Sequence, residues 1–262
     1  MEEEKREMIR RYFIPFPRWA VVLIGFTIFY ILSSKLELTI ILLASIPLAV
    51  GFYAIKRAST GPSDSQMDSW IAEDFAALGA KSIEKCNLDP AKKIRDPVML
   101  TGPRFRKQGG VKFAVKRGKD KKIRFNPLDV VIVHFLPDCL AVYQCALDLT
   151  TGNALNETAS EYFYKDIVSV ATQTDSVTID AGQLSRDAVK FFKEAKNALI
   201  NGKLQFDDGE EFRLVTSAGT SVNIFLRSEI IVKAAGGGVI STELADNAVK
   251  AIRSMLREKK AA

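Results

Sequence analysis

The stretch FRKQGGVKFAVKRGKDKKIRF, residues 105–125, is a dense run of cations in a chain of 262 residues. From Lys92 to Arg124 thirteen Lys or Arg stand against Asp96 and Asp120, a local net of +11 where the whole chain carries +6, which leaves about −5 for the rest. A concentration of this kind attracts anions. The candidate anion- or lipid-binding residues are Arg104, Arg106, Lys107, Lys112, Lys116, Arg117, Lys119, Lys121, Lys122 and Arg124. Part of the run alternates, with Val111, Phe113 and Val115 on one face and Lys112 and Lys116 on the other, and GKDKK follows as a turn. An ordinary solvated hairpin accounts for that half of the pattern, because exposed edges commonly carry Lys. It does not account for the size of the excess in an otherwise acidic chain.

Residues suited to catalysis are sparse. His134 is the only histidine and lies in VVIVHFLP, an apolar strand pattern where a packed, hydrogen-bonded ring is expected in place of a general base. Cys86, Cys139 and Cys145 make an odd count without C-x-x-C spacing, which points away from a disulfide framework or a zinc site and toward a reducing compartment. Cys139 and Cys145 share one face of a strand at a spacing too long for one metal or one disulfide. The run Gly236 to Gly238 stands before the last helix, where it could cradle an anion. Neither a Walker Lys nor GxGxxG accompanies it, so a flexible strand-to-helix connection is expected. DDGEE at Asp207 to Glu211 lacks the spacing of a calcium loop and reads as an acidic turn. The expectation is a chain with no catalytic residues, metal or cofactor, and no enzyme activity.

Two uncharged runs precede all of this. WAVVLIGFTIFYILSS lies between Arg18 and Lys35, and LTIILLASIPLAVGFYAI follows Glu37 and Leu38 begins it. Their length and their Tyr, Trp and Phe flanks predict a transmembrane hairpin over 18–57, with spans at about 19–34 and 38–55. Lys5, Arg6, Arg10, Arg11 and Arg18 before it, with Lys56 and Arg57 after it, predict that both termini are cytoplasmic in a multi-pass protein of the inner membrane. Residues 1–17 form the cytoplasmic amino-terminal segment in this reading.

Residues 58–97 read as a linker, ASTGPSDS, followed by a helix over about 65–85. From 98 to 262 the texture becomes short strands near VKFAVKR, DVVIVHF, CLAVYQCALDL, EYFYKDIVSVAT, EFRLVTS and SVNIFLR, with turns at GKD, LPD, TTGN, DDGE and SAGT. Connections this short predict mostly antiparallel pairing. A helix is expected over 185–200, with Ser185 as its N-cap and Gly202 beyond its end. The last helix, STELADNAVKAIRSMLREKK, gathers Leu244, Ala248, Ile252, Met255 and Leu256 on one face. The fold class is therefore α+β.

The aromatic strand EYFYKDIVSV with its Ile167 and Val170 step, and the pair FRLVTSAGTSVNIFL followed by a helix, resemble the bacterial PH-like and GRAM-like domains. The resemblance covers about 98–260 and implies a curled antiparallel sheet or barrel closed by the carboxy-terminal helix, with the helix over 185–200 as an insertion. It also implies a module for oligomerisation or protein binding, and for some relatives a basic loop between early strands that holds phosphoinositides.

The function expected from these readings is a membrane-anchored binding or assembly module whose basic face contacts anionic lipid, with a protein partner or a second copy. One alternative is a structural subunit of a larger membrane complex. Another is a tethered nucleic-acid-binding protein, in which Phe105, Phe113 and Phe125, interleaved with Arg104, Arg106, Lys112 and Arg124, would form a stacking groove.

Overall fold

The computed structural model describes residues 2–33, 38–106, 110–184, 186–194, 199–241 and 243–261. In chain order the helices and strands are α1 (Glu2–Tyr12), α2 (Arg18–Ser33), α3 (Leu38–Ser59), α4 (Asp64–Lys85), β1 (Arg95–Pro103), β2 (Ala114–Arg117), β3 (Ile123–Asn126), β4 (Leu128–Phe135), β5 (Cys139–Asp148), β6 (Asn153–Phe163), β7 (Ile167–Asp180), α5 (Arg186–Glu194), β8 (Leu199–Ile200), β9 (Lys203–Thr216), β10 (Ser221–Arg227), α6 (Glu229–Ala234) and α7 (Glu243–Ala261). The chain divides into two compact units, Met1–Asp68 and Ser69–Ala262.

In the first unit α2 packs along α3, and Gly51 lets the α3 backbone approach Ile24 closely. Tyr12 donates its hydroxyl to Asp64 at 2.8 Å, tying α1 to the start of α4. The expected transmembrane hairpin is overturned: among the described residues no helix is long and apolar enough to cross a membrane. The 16 residues of α2 reach about 24 Å at ~1.5 Å per residue, short of a ~30 Å hydrocarbon layer. The described part of α3 carries Pro47 inside it and ends on Lys56, Arg57 and Ser59. The assignments to two spans, to the inner membrane and to a multi-pass topology fall with the hairpin. Its expected tip, 34–37, lies outside the described residues.

The second unit is α+β with antiparallel sheets, as its strand texture predicted. One sheet has the order β1-β4-β5-β6, another the order β10-β9-β7 with β8 on β9, and β2 pairs with β3 alone. Alternation decides the faces. On β4, Val131, Val133 and Phe135 turn toward one buried cluster with Leu100, Leu140, Val142, Phe212, Leu214 and the α7 residues Ala248, Ile252 and Met255. The α7 stripe thus finds the apolar partner that its spacing demands. The side chain of Leu244, expected on that stripe, lies outside the described ones. A second cluster is aromatic: Phe105 lies 5.3 Å from Phe192, 5.6 Å from Phe113 and 5.8 Å from Phe206 between ring centroids.

Three local readings change. EYFYKDIVSVAT is not one strand but the end of β6, a short 3₁₀ turn over Tyr164–Asp166 and the start of β7. DDGE is not a turn, because β9 runs through it with a register shift opposite Asp175 and Val177. Asp208 there accepts from Ser228 Oγ and from the Glu229 amide, both at 2.7 Å, and so caps the first turn of α6. The helix expected over 185–200 is shorter: α5 is described over Arg186–Glu194, Leu199–Ile200 instead form β8 paired with β9, and Ser185 and 195–198 lie outside the described residues.

Candidate functional site

The basic run does not form one surface. Its two ends are built differently, and the difference follows from which cations the fold uses internally. Arg124 on β3 is 6% exposed and forms a two-point pair with Asp120 at 2.6 and 3.1 Å. Hydrogen bonds from Arg124 hold the Asp120 carboxyl down at about 2, well below its ordinary range. Asp120 also accepts the Lys122 amide at 3.0 Å, so this single acid fixes the turn Gly118 to Lys122. Replacing Asp120 by Asn should lower stability by under about 1 kcal/mol, since a third of the carboxylate is solvated; urea denaturation measures it.

The triple glycine completes that turn. Gly236 and Gly237 donate backward to Lys233 and Val232 and end α6 in the left-handed region. Gly238, at φ +127°, lies against the Lys121 carbonyl where no Cβ fits. Val239 then exchanges backbone bonds with Lys121 at 2.9 Å and with Ile123 at 3.0 Å. Arg117 donates to the Gly236 carbonyl. These glycines close a helix and dock it on the hairpin, which is a stiffer role than the connection expected. The hairpin tip presents Arg117, Lys119, Lys121 and Lys122 as exposed cations, and Lys112 is exposed at its base. Lys116 is half-buried, and Lys107 lies outside the described residues.

At the other end of the run Arg104 and Arg106 leave the hairpin and line a cavity of about 500 Å³. Its wall is drawn from β4, β5 and β6, from β7, β9 and β10, and from the Pro103–Arg106 segment. Arg104 donates to Asp129 Oδ1 at 2.5 Å, while its Nε is buried with no hydrogen-bond partner among the described residues. Burial pushes the Asp129 carboxyl up, against the pull of Arg104 and Arg106. The cavity escapes sequence reasoning because its lining comes from six strands far apart in the chain. The single available signal was that Arg104 and Arg106 precede the alternating part of the run.

Comparison with protein-family models, with curated proteins and with solved structures returned no match. The chemistry of the chain is therefore read from its own residues.

The other candidates take packing roles. His134 is 1% exposed, its Nε2 lies 2.8 Å from Ser82 Oγ on α4, and its Nδ1 has no partner among the described residues. Burial, with Lys93 nearby, depresses its pKa to about 4, so the ring is neutral. Beside it, Lys81 on α4 binds Glu157 at 2.8 Å and Tyr143 donates to the same carboxylate at 2.7 Å. Helix α4 is thus fastened to the outer face of the first sheet. Cys139 and Cys145 are buried free thiols, and burial pushes Cys145 up to about 11, far from a thiolate. Phe105, Phe113 and Phe125 are 3%, 5% and 4% exposed, which removes them as a stacking platform.

Proposed function

We propose that the chain is a binding and assembly module of PH-like architecture, not a catalyst, and that its basic hairpin contacts an acidic protein surface. Support for the architecture comes from the layout: a meander of β1, β4, β5 and β6, a second of β7, β9 and β10, and α7 over their common core, with β2–β3 and α5–β8 as insertions. The observation that carries the binding role is a pre-organised cationic tip. From Lys112 to Arg124 seven Lys or Arg stand against Asp120, a net of +6. Asp120, Arg124 and the Val239 backbone hold this turn in one shape. A turn ordered before binding loses little entropy on contact. Among the described residues no helix is long and apolar enough to cross a membrane, and a protein partner is the reading that needs no tether. A second copy qualifies, since the chain outside Lys92 to Arg124 carries about −5.

The test is cross-linking of the full chain in cells beside a variant carrying Lys119→Glu, Lys121→Glu and Lys122→Glu. One stoichiometric adduct, reduced at least tenfold in the variant, is expected. Retention of the adduct would make the charge incidental and favour a structural subunit that docks by another face. Binding of the wild type, and not the variant, to vesicles of phosphatidylglycerol in place of any protein would overturn the protein reading and move the tip to anionic head groups.

A further inference from the structure

We propose that the cavity behind Arg104 and Arg106 binds a small polar molecule bearing an oxyanion, a carboxylate or a phosphate ester on a hydroxylated body. Its volume of about 500 Å³ falls within the ~300–1,000 Å³ of ordinary small-molecule sites. Strands β4, β5, β6, β7, β9 and β10 contribute most of the wall, and Arg104 and Arg106 stand just past the end of β1, with Arg106 bridged to Leu184.

The orphaned atom calls for an acceptor on the ligand. A guanidinium is a fork of N–H donors that only acceptors can satisfy. Asp129 takes one nitrogen of Arg104 and leaves the buried Nε without a partner among the described residues. A buried donor left unsatisfied carries the full desolvation penalty of its group, and a ligand oxygen removes it. Arg106, exposed at the same wall, supplies the second cation. Asp129 is engaged by Arg104 and Glu211 also lines the wall, so the formal charges of the lining balance and the ligand oxyanion belongs at the Arg104 Nε and Arg106 side of the cavity.

The remaining lining suits a hydroxylated body. Gln144, Asn156, Thr158, Thr178 and Asn223 offer amides and hydroxyls, and Glu211 offers an acceptor for ligand hydroxyls. The backbone is adapted at one of them. Pairing of β5 with β6 shifts register between Gln144 and Ala146, and Asn156 in that bulge adopts φ 51°. Bulges of this kind re-aim side chains beside sites. The lining also crosses from β6 to β7, the two strands that end their sheets.

Calorimetric titration of the full chain with citrate, glycerol 3-phosphate and inorganic phosphate, against sodium chloride of matched ionic strength, tests the assignment. Saturable binding of at least one oxyanion is expected. Arg106→Gln and Thr178→Glu, both at exposed positions, should each weaken it at least tenfold, while the triple Glu variant of the hairpin leaves it unchanged. That last arm separates this site from the hairpin reading. Competition by phosphatidylglycerol vesicles would keep the oxyanion and assign it to a lipid head group. Saturation by none of the three probes, or equal affinity in both cavity variants, overturns the proposal.

Discussion

Lowering the pH from 7.5 to 4 should cost the Ser69–Ala262 unit about 3 kcal/mol through His134 alone. The sign follows from the direction of the shift. In the folded chain burial holds the ring neutral down to about 4, against an ordinary value of 6.5. Above 6.5 both states are neutral and the group contributes nothing. Below it the unfolded chain takes up a proton that the folded chain refuses, and stability falls by up to about 1.4 kcal/mol per pH unit until the folded ring titrates. Asp120 and Asp208, held below their ordinary 3.8, act below this window, and Glu157, held below its ordinary 4.5, begins to act at its lower end, since the stability each contributes is lost only as pH falls past the unfolded carboxylate value. Asp129, pushed up by burial, works in the opposite direction, because protonating it relieves a desolvated charge. Urea denaturation at several pH values measures the slope, and His134→Gln should flatten it while keeping a partner for Ser82. An equal slope in the variant would place the acid sensitivity elsewhere.

The same histidine shows what sequence could and could not supply. Alternation in VVIVHFLP places His134 opposite the inward Val131, Val133 and Phe135, and the solitary ring in an apolar strand already argued for packing. Its partner could not be read, because Ser82 stands 52 residues away on a helix whose stripe did not say which sheet face it covers. The hairpin was legible for a comparable reason: alternating Val111, Phe113 and Val115 with a GKD turn sets a short-range register, and the structure pairs Val115 with Phe125. The capping of α6 by Asp208 was not legible. DDGE has turn composition, and only the Ser228 and Glu229 donors, brought over from the end of β10, make it a bulge inside a strand.

The basic run misled in one respect. Charge density treats ten cations as one surface, whereas the fold places Arg124 in a buried pair, Arg117 on a carbonyl, and Arg104 and Arg106, which flank Phe105 in sequence, at a cavity. Density in sequence cannot distinguish a cation that stabilises a turn from one that faces solvent. Hydrophobicity misled at the amino end in the same manner. The apolar runs come close to the length of a span, but α2 stops at Ser33 after 16 residues and Pro47 stands inside α3.

Gly102→Ala should destabilise the chain by about 3 kcal/mol, the upper end of overpacking costs, although it adds one methyl group to a residue of ordinary strand geometry. The reason is the junction between the sheets. Gly102 on β1 lies against β10, and a Cβ there would overlap the Phe225 carbonyl oxygen and lie 3.4 Å from Ile224 Cγ1. A backbone oxygen cannot rotate out of the way as a flexible side chain can. Nor can β1 withdraw, since Gly102 pairs with Asp129 on β4 along its other edge. The strain passes to Phe225, whose ring meets Phe105 at 5.7 Å and Phe206 at 5.0 Å in the aromatic cluster. Gly79→Ala provides the contrast. Nothing lies within 4 Å of a Cβ at that position of α4, so the change should stabilise by about 0.5–1 kcal/mol from helix propensity. Chemical denaturation of both variants decides the matter, and a Gly102→Ala chain as stable as the parent would mean that β1 and β10 do not meet as closely as the packing of the two sheets requires.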